Sequence, residues 1–292
     1  MSKETEKYYS HGKFLITGEY LVMAGADALV LPLNKGQYLT ATICDSDQLK
    51  WESWYAGELW FMASYHPESF QLLEASDNTR GAWISVLLKA ASELSKKRKH
   101  LKNTLIKTEL EFHPEWGMGS SSTLITNISY LFDVSAFDLY ARVAKGSAFD
   151  IAAALSVFPF KYRLQRKNRQ VFPVRLPGLF YDHAFFIYLG EKADSQAAVE
   201  DFSLFNRDLK MPVKYISEIT GQFTELDSVE EMSRITGEHE AFMIEVLGLD
   251  SPLGRFADYP YGMKSLGAWG GDFIMAVHPG SKHDVENYFK HK

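Results

Sequence analysis

Hydrophobic and polar residues alternate along the N-terminal part of the chain, as they do in half-buried β-strands. Residues 14–44 carry short apolar and β-branched runs, which Gly25 and the sequence NKG at 34–36 divide. Two further segments, LKWESWYAG at 49–57 and ELWFMASY at 58–65, interleave aromatic with polar residues. The pattern predicts a β-rich beginning, with turns at Gly25 and at NKG.

The period of the pattern then changes from two to between three and four. Apolar residues in RGAWISVLLKAASELSKKRK at 80–99 recur at helical spacing, and the basic C-terminal end suits the helix dipole. LIKTELEFH at 105–113 alternates again and predicts a strand. SSSTLITNISYLF at 120–132 has the residue order of a helix that begins at a serine cap. The expected unit is strand, glycine-rich turn, helix.

The second half mixes helical and extended segments. Residues 135–156 are predicted to be mostly helical, and residues 158–177 to form a hairpin around the polar sequence RKNR. HAFFIYLG at 183–190 predicts a buried strand, and residues 194–250 are rich in helical spacing. KSLGAWGGDFIMAV at 264–277 is a second glycine-rich loop that leads into a strand.

Length and composition place this chain among globular proteins. At 292 residues we expect two lobes, residues 1–156 and 157–292, each with its own core. Hydrophobic residues make up 46% and charged residues 23%, which is typical of a soluble protein. The net charge of -6 argues against nucleic acid as a partner.

The cysteine, the histidines and the N-terminal residues indicate where in the cell the protein resides and which metal sites it lacks. Cys44 is the single cysteine, so an internal disulfide is excluded. The nine histidines form no pair at metal-binding helical spacing. The polar N-terminal residues lack the apolar stretch of a secretory signal, and no run is long enough for a membrane span. We therefore expect a cytoplasmic protein that does not enter a membrane.

The sequence PEWGMGSSSTLI at 114–125 gathers small and hydroxyl-bearing residues at the start of the predicted helix. Small residues let backbone N–H groups approach a ligand, and a helix N-terminus favours an anion. The serine hydroxyls can cap the helix, bind phosphate or ligate Mg²⁺. A purely structural turn with a cap is the alternative. The loop is neither a Walker loop, since no Lys precedes the Ser/Thr, nor the three-glycine dinucleotide pattern.

Three motifs resemble those of the GHMP kinases. PEWGMGSSSTLI is similar to the ATP-binding loop of that family, which reads Pro, three residues, Gly, any residue, Gly, Ser, Ser. HGKFLITGEYLVMAGADALVLPL at 11–33 resembles the first family motif, in which Gly-Lys precedes a strand, and residues 264–277 resemble the third. The resemblance implies a two-lobed α+β fold. Its N-terminal β/α lobe would be like that of a small-subunit ribosomal protein, and its C-terminal lobe ferredoxin-like.

Within that family the mevalonate-pathway kinases are the most similar in their motifs. GKFLITGEY, GAWGGD, GSAFDIAAA at 146–154 and GEKADSQAAV at 190–199 each resemble a segment of this group. The resemblance implies an ATP- and Mg²⁺-dependent kinase, a monomer or homodimer, whose acceptor is a small acid, mevalonate or phosphomevalonate. A diphosphomevalonate decarboxylase-like enzyme and a nucleotide-binding protein without kinase turnover are the alternatives.

The resemblance also implies roles for residues of the N-terminal lobe. Asp150 stands at the position of the catalytic aspartate, and Lys13 would pair with Asp150 or with an anionic substrate. A helix-start carboxylate and an exposed lysine are the structural alternatives. Ser121 would lie near Mg²⁺. The cradle for the ATP phosphates would consist of Gly117, Met118, Gly119, Ser120, Ser121 and Ser122.

The acceptor side is implied by residues of the C-terminal lobe. Lys192 and Ser195 would hold a carboxylate or phosphate, unless they form only a polar turn, and Gly267, Gly270 and Gly271 would let a loop close over the acceptor.

Two departures from the family pattern bear on activity. Only Asp133 and Asp138 occur where many members carry a metal-binding glutamate, and Trp269 replaces a family glycine. Glu19 is expected near the nucleotide lobe.

Overall fold

The computed structural model describes residues 5–96, 100–166, 168–190, 208–248, 252–267, 273–290 and 292. The chain divides into two compact units. The first unit comprises Met1–Lys13 and Pro32–Val157, and the second comprises Phe14–Leu31 and Phe158–Lys292. The chain therefore enters the second unit early, returns to the first, and leaves it again after Val157.

The first unit is built on a mixed sheet, in which β3 and β6 are parallel and the pairs β2–β6 and β3–β4 are antiparallel. The strand order is β5-β4-β3-β6-β2, and β1 pairs with β2. The last residues of β1 and the first residues of β2 belong to the second unit. The strands are β1 (Thr5–Leu15), β2 (Ala28–Ile43), β3 (Leu49–Tyr55), β4 (Glu58–Tyr65), β5 (Leu72–Ala75) and β6 (Thr104–Leu110).

Helices pack on the sheet of the first unit and bury a continuous apolar core. Leu39, Trp51 and Ile106 of the strands lie in one cluster with Leu88 and Ile128 of the helices, and all five side chains are almost fully buried. The predicted helices are confirmed, although the first is shorter than predicted. The helices are α1 (Asn78–Leu94), α2 (Ser120–Phe132), α3 (Ala136–Val143) and α4 (Phe149–Leu155).

The second unit contains the predicted hairpin and a small antiparallel sheet. The hairpin consists of β7 (Phe160–Gln165) and β8 (Asn168–Pro173), and the first residues of β2 pair with β7. The sheet has the order β10-β11-β9 and consists of β9 (Ala184–Tyr188), β10 (Met263–Leu266) and β11 (Phe273–Val277). The helices of this unit are α5 (Gly178–His183), α6 (Lys210–Gln222), α7 (Val229–Leu247) and α8 (Lys282–Phe289).

Two details of the predicted strands are wrong. NKG does not interrupt a strand, because β2 runs through it without a break. There an added Cβ on Gly36 would overlap the carbonyl oxygen of Ser10, so the absence of a side chain permits close contact with β1. The strand predicted over 183–190 is only half-buried, and His183 belongs to α5. By contrast, Gly25 does end a turn, with φ 98° after the 3₁₀ helix Leu21–Ala24. Of the helices described, none has the length and apolar character needed to cross a bilayer.

Candidate functional site

The glycine-rich loop connects β6 to α2, which confirms the predicted order of strand, turn and helix. Gly117 and Gly119 adopt left-handed backbone conformations, with φ 63° and 95°. A Cβ added to Gly119 would lie 2.9 Å from Ser122 Oγ and 3.2 Å from Lys13 Cγ. A side chain at residue 119 would therefore displace its neighbours, including Lys13.

The start of α2 carries no side-chain cap, so the prediction of a serine cap is wrong. Gly119 is the N-cap residue, and no side chain accepts from the first-turn amides. Ser122 Oγ donates back to the carbonyl oxygen of Gly119 at 2.9 Å, and Ser120 Oγ donates to that of Pro114 at 3.3 Å. Ser121 is exposed. The helix terminus therefore has neither a capping side chain nor an acidic residue in its first turn to offset its partial positive charge.

Lys13 lies against this loop. It is part of β1, near the end of the strand, whereas the motif implied a position before a strand. Its backbone N–H donates to the carbonyl oxygen of Met118 at 2.9 Å, and its Nζ donates to that of Gly117 at 2.9 Å. The same Nζ lies 5.8 Å from the ring centroid of Phe149, which opens α4. Lys13 thus touches both the loop and the beginning of α4.

Asp150 occupies the first turn of α4, and α4 packs against α2. Its Oδ1 accepts from the backbone N–H of Ile151 at 3.0 Å. Burial raises the pKa of the Asp150 carboxyl above its ordinary value, although the charge of Lys13 and backbone N–H groups act in the opposite direction. A carboxylate whose pKa is raised beside an ammonium can accept a proton more readily than an exposed one.

The helix that carries Asp150 begins with an unusual backbone conformation. Ala148, the N-cap residue of α4, has φ 63° and ψ 24°, a left-handed conformation that a residue with a Cβ rarely adopts. Ala148 is almost completely buried, with 1% of its surface exposed. Strained residues of this kind cluster at functional sites. The strain at Ala148 therefore indicates that the position of the start of α4, and with it that of Asp150, is functionally important.

The structure brings together the predicted residues of the first unit and describes few of those predicted for the second. The loop, Lys13 and Asp150 lie in one unit, and Lys13 contacts both the loop and Phe149, the residue before Asp150. Gly267 follows β10 in the second unit with φ 71°. Lys192, Ser195, Gly270, Gly271 and Trp269 lie outside the described residues.

The residues near the loop fit a magnesium ion that is bound largely through phosphate. Asp133 and Asp138 are not candidates, because both line a hollow with Leu94 and Ser95 at the C-terminal end of α2, about 20 Å from its first residues. No group of three or more His, Cys, Asp or Glu side chains suited to a metal occurs among the described residues. Mg²⁺ commonly needs only one or two protein oxygens besides phosphates and water, and the exposed hydroxyl of Ser121 is available as one.

Sequence reasoning missed a hydrogen-bond network beneath the loop. Thr123 and Asn127 lie on the buried side of α2, four residues apart, and both contact Gln37 of β2. Asn127 also accepts from Ser10 Oγ at 2.8 Å. A signal was present, because Gln37 has the same strand parity as the core residues Leu39 and Ala41. A polar residue at an apolar position predicts a buried partner.

A cluster of buried charges in the second unit was also missed. The carboxylate of Glu19 contacts Lys264 Nζ at 2.5 Å, and its other oxygen lies 3.2 Å from His239 Nε2. All three side chains are at most 1% exposed. Burial alone would raise the pKa of Glu19, but the charges of Lys264 and His239 hold it below its usual value. Glu19 therefore lies in the core of the second unit.

Comparison with solved structures shows the GHMP kinase fold. Mevalonate kinase from Methanococcus jannaschii superposes with a TM-score of 0.73 at 13% identity, over 99% of this chain and 96% of that one. Phosphomevalonate kinase from Streptococcus pneumoniae, solved with phosphomevalonate and AMPPNP, gives 0.69 at 17% identity, over 98% and 95%. Lactococcus lactis galactokinase, solved with galactose, gives 0.65 at 12% identity, over 99% and 88%.

At the level of sequence, no protein-family model and no curated protein matches the chain. The three solved structures share the fold and differ in the acceptor for which each is named. The mixed α+β architecture agrees with this fold. The fold alone does not select an acceptor.

Proposed function

We propose that this protein is an ATP-dependent kinase of the GHMP type that phosphorylates a small acid, mevalonate or phosphomevalonate. The observation that carries the proposal is the position of Lys13. Its ammonium donates to the carbonyl oxygen of Gly117 in the glycine-rich loop, and its charge partly offsets the burial that raises the pKa of Asp150. A phosphate cradle, a cation and a carboxylate are the parts that phosphoryl transfer requires.

The loop and the first turn of α2 form the proposed nucleotide site. The backbone N–H groups of Ser120 and Ser121 belong to an uncapped helix terminus, which favours a polyphosphate. Gly117 and Gly119 allow the main chain to approach it closely. Mg²⁺ would neutralise charge on the transferring phosphate, and the Ser121 hydroxyl would supply a protein oxygen for it. The AMPPNP in the phosphomevalonate kinase structure supports ATP as the phosphate donor.

Asp150 and Lys13 form the proposed catalytic pair. Asp150 would orient the acceptor hydroxyl and take its proton, which its raised pKa favours. Lys13 would stabilise the negative charge of the carboxylate or of the phosphate that approaches it. The acceptor's acid group would be held by Lys192 and Ser195, and the loop of Gly267, Gly270 and Gly271 would enclose it. The motif resemblance supports these assignments.

A nucleotide-binding protein without turnover is the second candidate. It is favoured by one observation, the location of Asp133 and Asp138 at the far end of α2, where neither can replace the metal-binding glutamate of the family.

An acceptor screen distinguishes these functions. The protein is incubated with Mg-ATP and with mevalonate, phosphomevalonate, diphosphomevalonate, homoserine or simple sugars, and ADP and carbon dioxide are measured. ADP release with one acid, abolished by Asp150→Ala while calorimetry still detects ATP binding, supports the kinase. Release of carbon dioxide would indicate a decarboxylase. ATP binding with no ADP above background for any acceptor would favour the protein without turnover.

A further inference from the structure

Three oxygen atoms surround the hydroxyl of Thr123, and only one orientation of the Gln37 side-chain amide gives every group a hydrogen-bond partner. Its Oγ1 lies 3.0 Å from Gln37 Oε1, 3.1 Å from the carbonyl oxygen of Gly119 and 3.0 Å from that of Ser120. Thr123 is fully buried, and Gln37 is 3% exposed. A hydroxyl donates a single hydrogen, so it cannot satisfy three acceptors.

Rotation of the Gln37 amide resolves the conflict. The amide oxygen and nitrogen occupy equivalent positions, and their assignment follows from the hydrogen bonds that each orientation permits. With Nε2 directed at Thr123, Gln37 donates to the hydroxyl, and the single hydroxyl hydrogen is shared between the carbonyl oxygens of Gly119 and Ser120 in a bifurcated bond. The backbone of Gln37 is itself fixed, because its carbonyl oxygen accepts from Asn127 Nδ2 at 2.9 Å. The result is a directed relay from β2 into the glycine-rich loop.

The relay acts on the two peptide groups that face the proposed nucleotide. In a trans peptide the C=O and N–H groups point in opposite directions. The carbonyl of Gly119 points into the helix, where it accepts from the Thr123 N–H at 2.9 Å and from Ser122 Oγ at 2.9 Å. The N–H of Ser120 therefore points in the opposite direction, outward from the N-terminal end of the helix. The same reasoning applies to the carbonyl of Ser120 and the N–H of Ser121.

We propose that Gln37 and Thr123 are positioning residues for phosphate binding: the relay from Gln37 through the Thr123 hydroxyl holds the Gly119 and Ser120 carbonyls inward and so aims the Ser120 and Ser121 amides at a polyphosphate. This inference rests on the proposed function. Gln37 and Thr123 would hold the loop in one conformation. The glycines cannot do this, because glycine permits the conformation without enforcing it. Donors fixed before the ligand arrives bind it without a cost of reorganisation.

Calorimetry with Mg-ATP, inorganic tripolyphosphate and adenosine tests the proposal on the full chain. We expect Thr123→Val to weaken tripolyphosphate binding about tenfold and to leave adenosine binding unchanged. Thr123→Ser, which keeps the hydroxyl, should bind tripolyphosphate with the affinity of the unaltered protein. Thr126→Val is the matched control, because Thr126 is also fully buried on α2 and its hydroxyl has no hydrogen-bond partner in the described part of the chain.

Gln37→Met, which removes the donor without adding charge, should weaken tripolyphosphate binding as Thr123→Val does. Because both residues act in one relay, the double variant should lose no more than either single variant. Wild-type affinity in Thr123→Val, equal losses for tripolyphosphate and adenosine, or additive losses in the double variant would overturn the proposal. If Thr123→Val does not fold, Thr123→Ser and Gln37→Met decide it by the same comparison. If the unaltered chain binds neither Mg-ATP nor tripolyphosphate, the proposed function fails, and this inference fails with it.

Discussion

Lys264 and Glu19 form an ion pair in the interior of the second unit, and neither side chain is more than 1% exposed. Lys264 Nζ also donates to the carbonyl oxygen of Ser265 at 2.7 Å. Next to this pair, both carboxylate oxygens of Glu240 accept from Ser265, one from its N–H and one from its hydroxyl. Charges so far from water are tolerated only because each has a partner.

Removal of one partner should therefore destabilise the protein strongly. Lys264→Met leaves the Glu19 carboxylate buried without its cation, and we expect a loss of about 3–5 kcal/mol in the free energy of unfolding. Denaturant titration measures it. Lys214→Met is the control, since Lys214 is 70% exposed and its ion pair with Glu218 spans 3.7 Å. Equal unfolding midpoints for the two variants would show that the buried Glu19 carboxylate tolerates the loss of its cation.

Stability should fall in acid in two stages. Burial, followed by the charge of Lys264, lowers the pKa of His239 below its ordinary 6.5, so below that pH the unfolded chain binds a proton that the folded chain excludes. Glu19, whose pKa lies below its ordinary 4.5, adds a second loss as the pH falls through that lower pKa. The measurement is the free energy of unfolding against pH. His239→Leu should flatten the curve between pH 6.5 and 4.5, and an unchanged slope would contradict this assignment.

Asp150→Asn should lower the turnover of the protein and raise its stability. Its folded pKa is raised above 3.8, so above that pH the wild-type carboxylate is charged at a cost that the amide avoids. We expect turnover to fall at least about a hundredfold, nucleotide binding to persist, and the unfolding temperature near neutral pH to rise. Asp138→Asn, in the exposed first turn of α3, is the matched control and should change none of these three quantities appreciably. A lower unfolding temperature in Asp150→Asn would refute the electrostatic part.

Gly119→Ala should impair nucleotide binding, because the added methyl group overlaps neighbouring side chains as well as straining the backbone. The new Cβ meets Ser122 Oγ and Lys13 Cγ, so the lysine must move away from the loop. Gly57→Ala is a matched control, because Gly57 has a similar φ of 81° but no atom within 4 Å of the added Cβ. Both variants should lose about 1–2 kcal/mol of stability. Only Gly119→Ala should weaken ATP binding in calorimetry, and equal affinities would show that the contact with Lys13 is unimportant.

Much of the fold could be predicted because local pattern and tertiary structure agree. The apolar spacing of α1 and the alternation in β3, β4 and β6 reflect burial on one face, so the sequence reports them directly. The NKG turn was predicted wrongly because Gly36 has a tertiary role at this point, where the chain must approach Ser10. Similarly, β9 reads as a buried strand from its composition, although its neighbours cover it only in part.

The candidate site could be predicted only where a local motif describes it. The loop, Lys13 and Asp150 stand in recognisable segments, and the structure brings them together. Partners from distant segments leave no such signature. Lys264 is separated from Glu19 by 245 positions and Thr123 from Gln37 by 86, and nothing in the sequence pairs them. The helix cap at Gly119 was missed because three serines follow it, and serine is the more usual cap.

The segment Phe14–Leu31 packs with residues that the ribosome synthesises much later, after Phe158. While the chain grows, this early segment must remain without its final neighbours until most of the polypeptide has emerged. Cleavage of the polypeptide at any one peptide bond also cannot release both units intact, because neither is a single stretch of sequence. Maturation of the second unit is therefore a late, long-range event, and a truncated product would expose the apolar residues of this segment to aggregation.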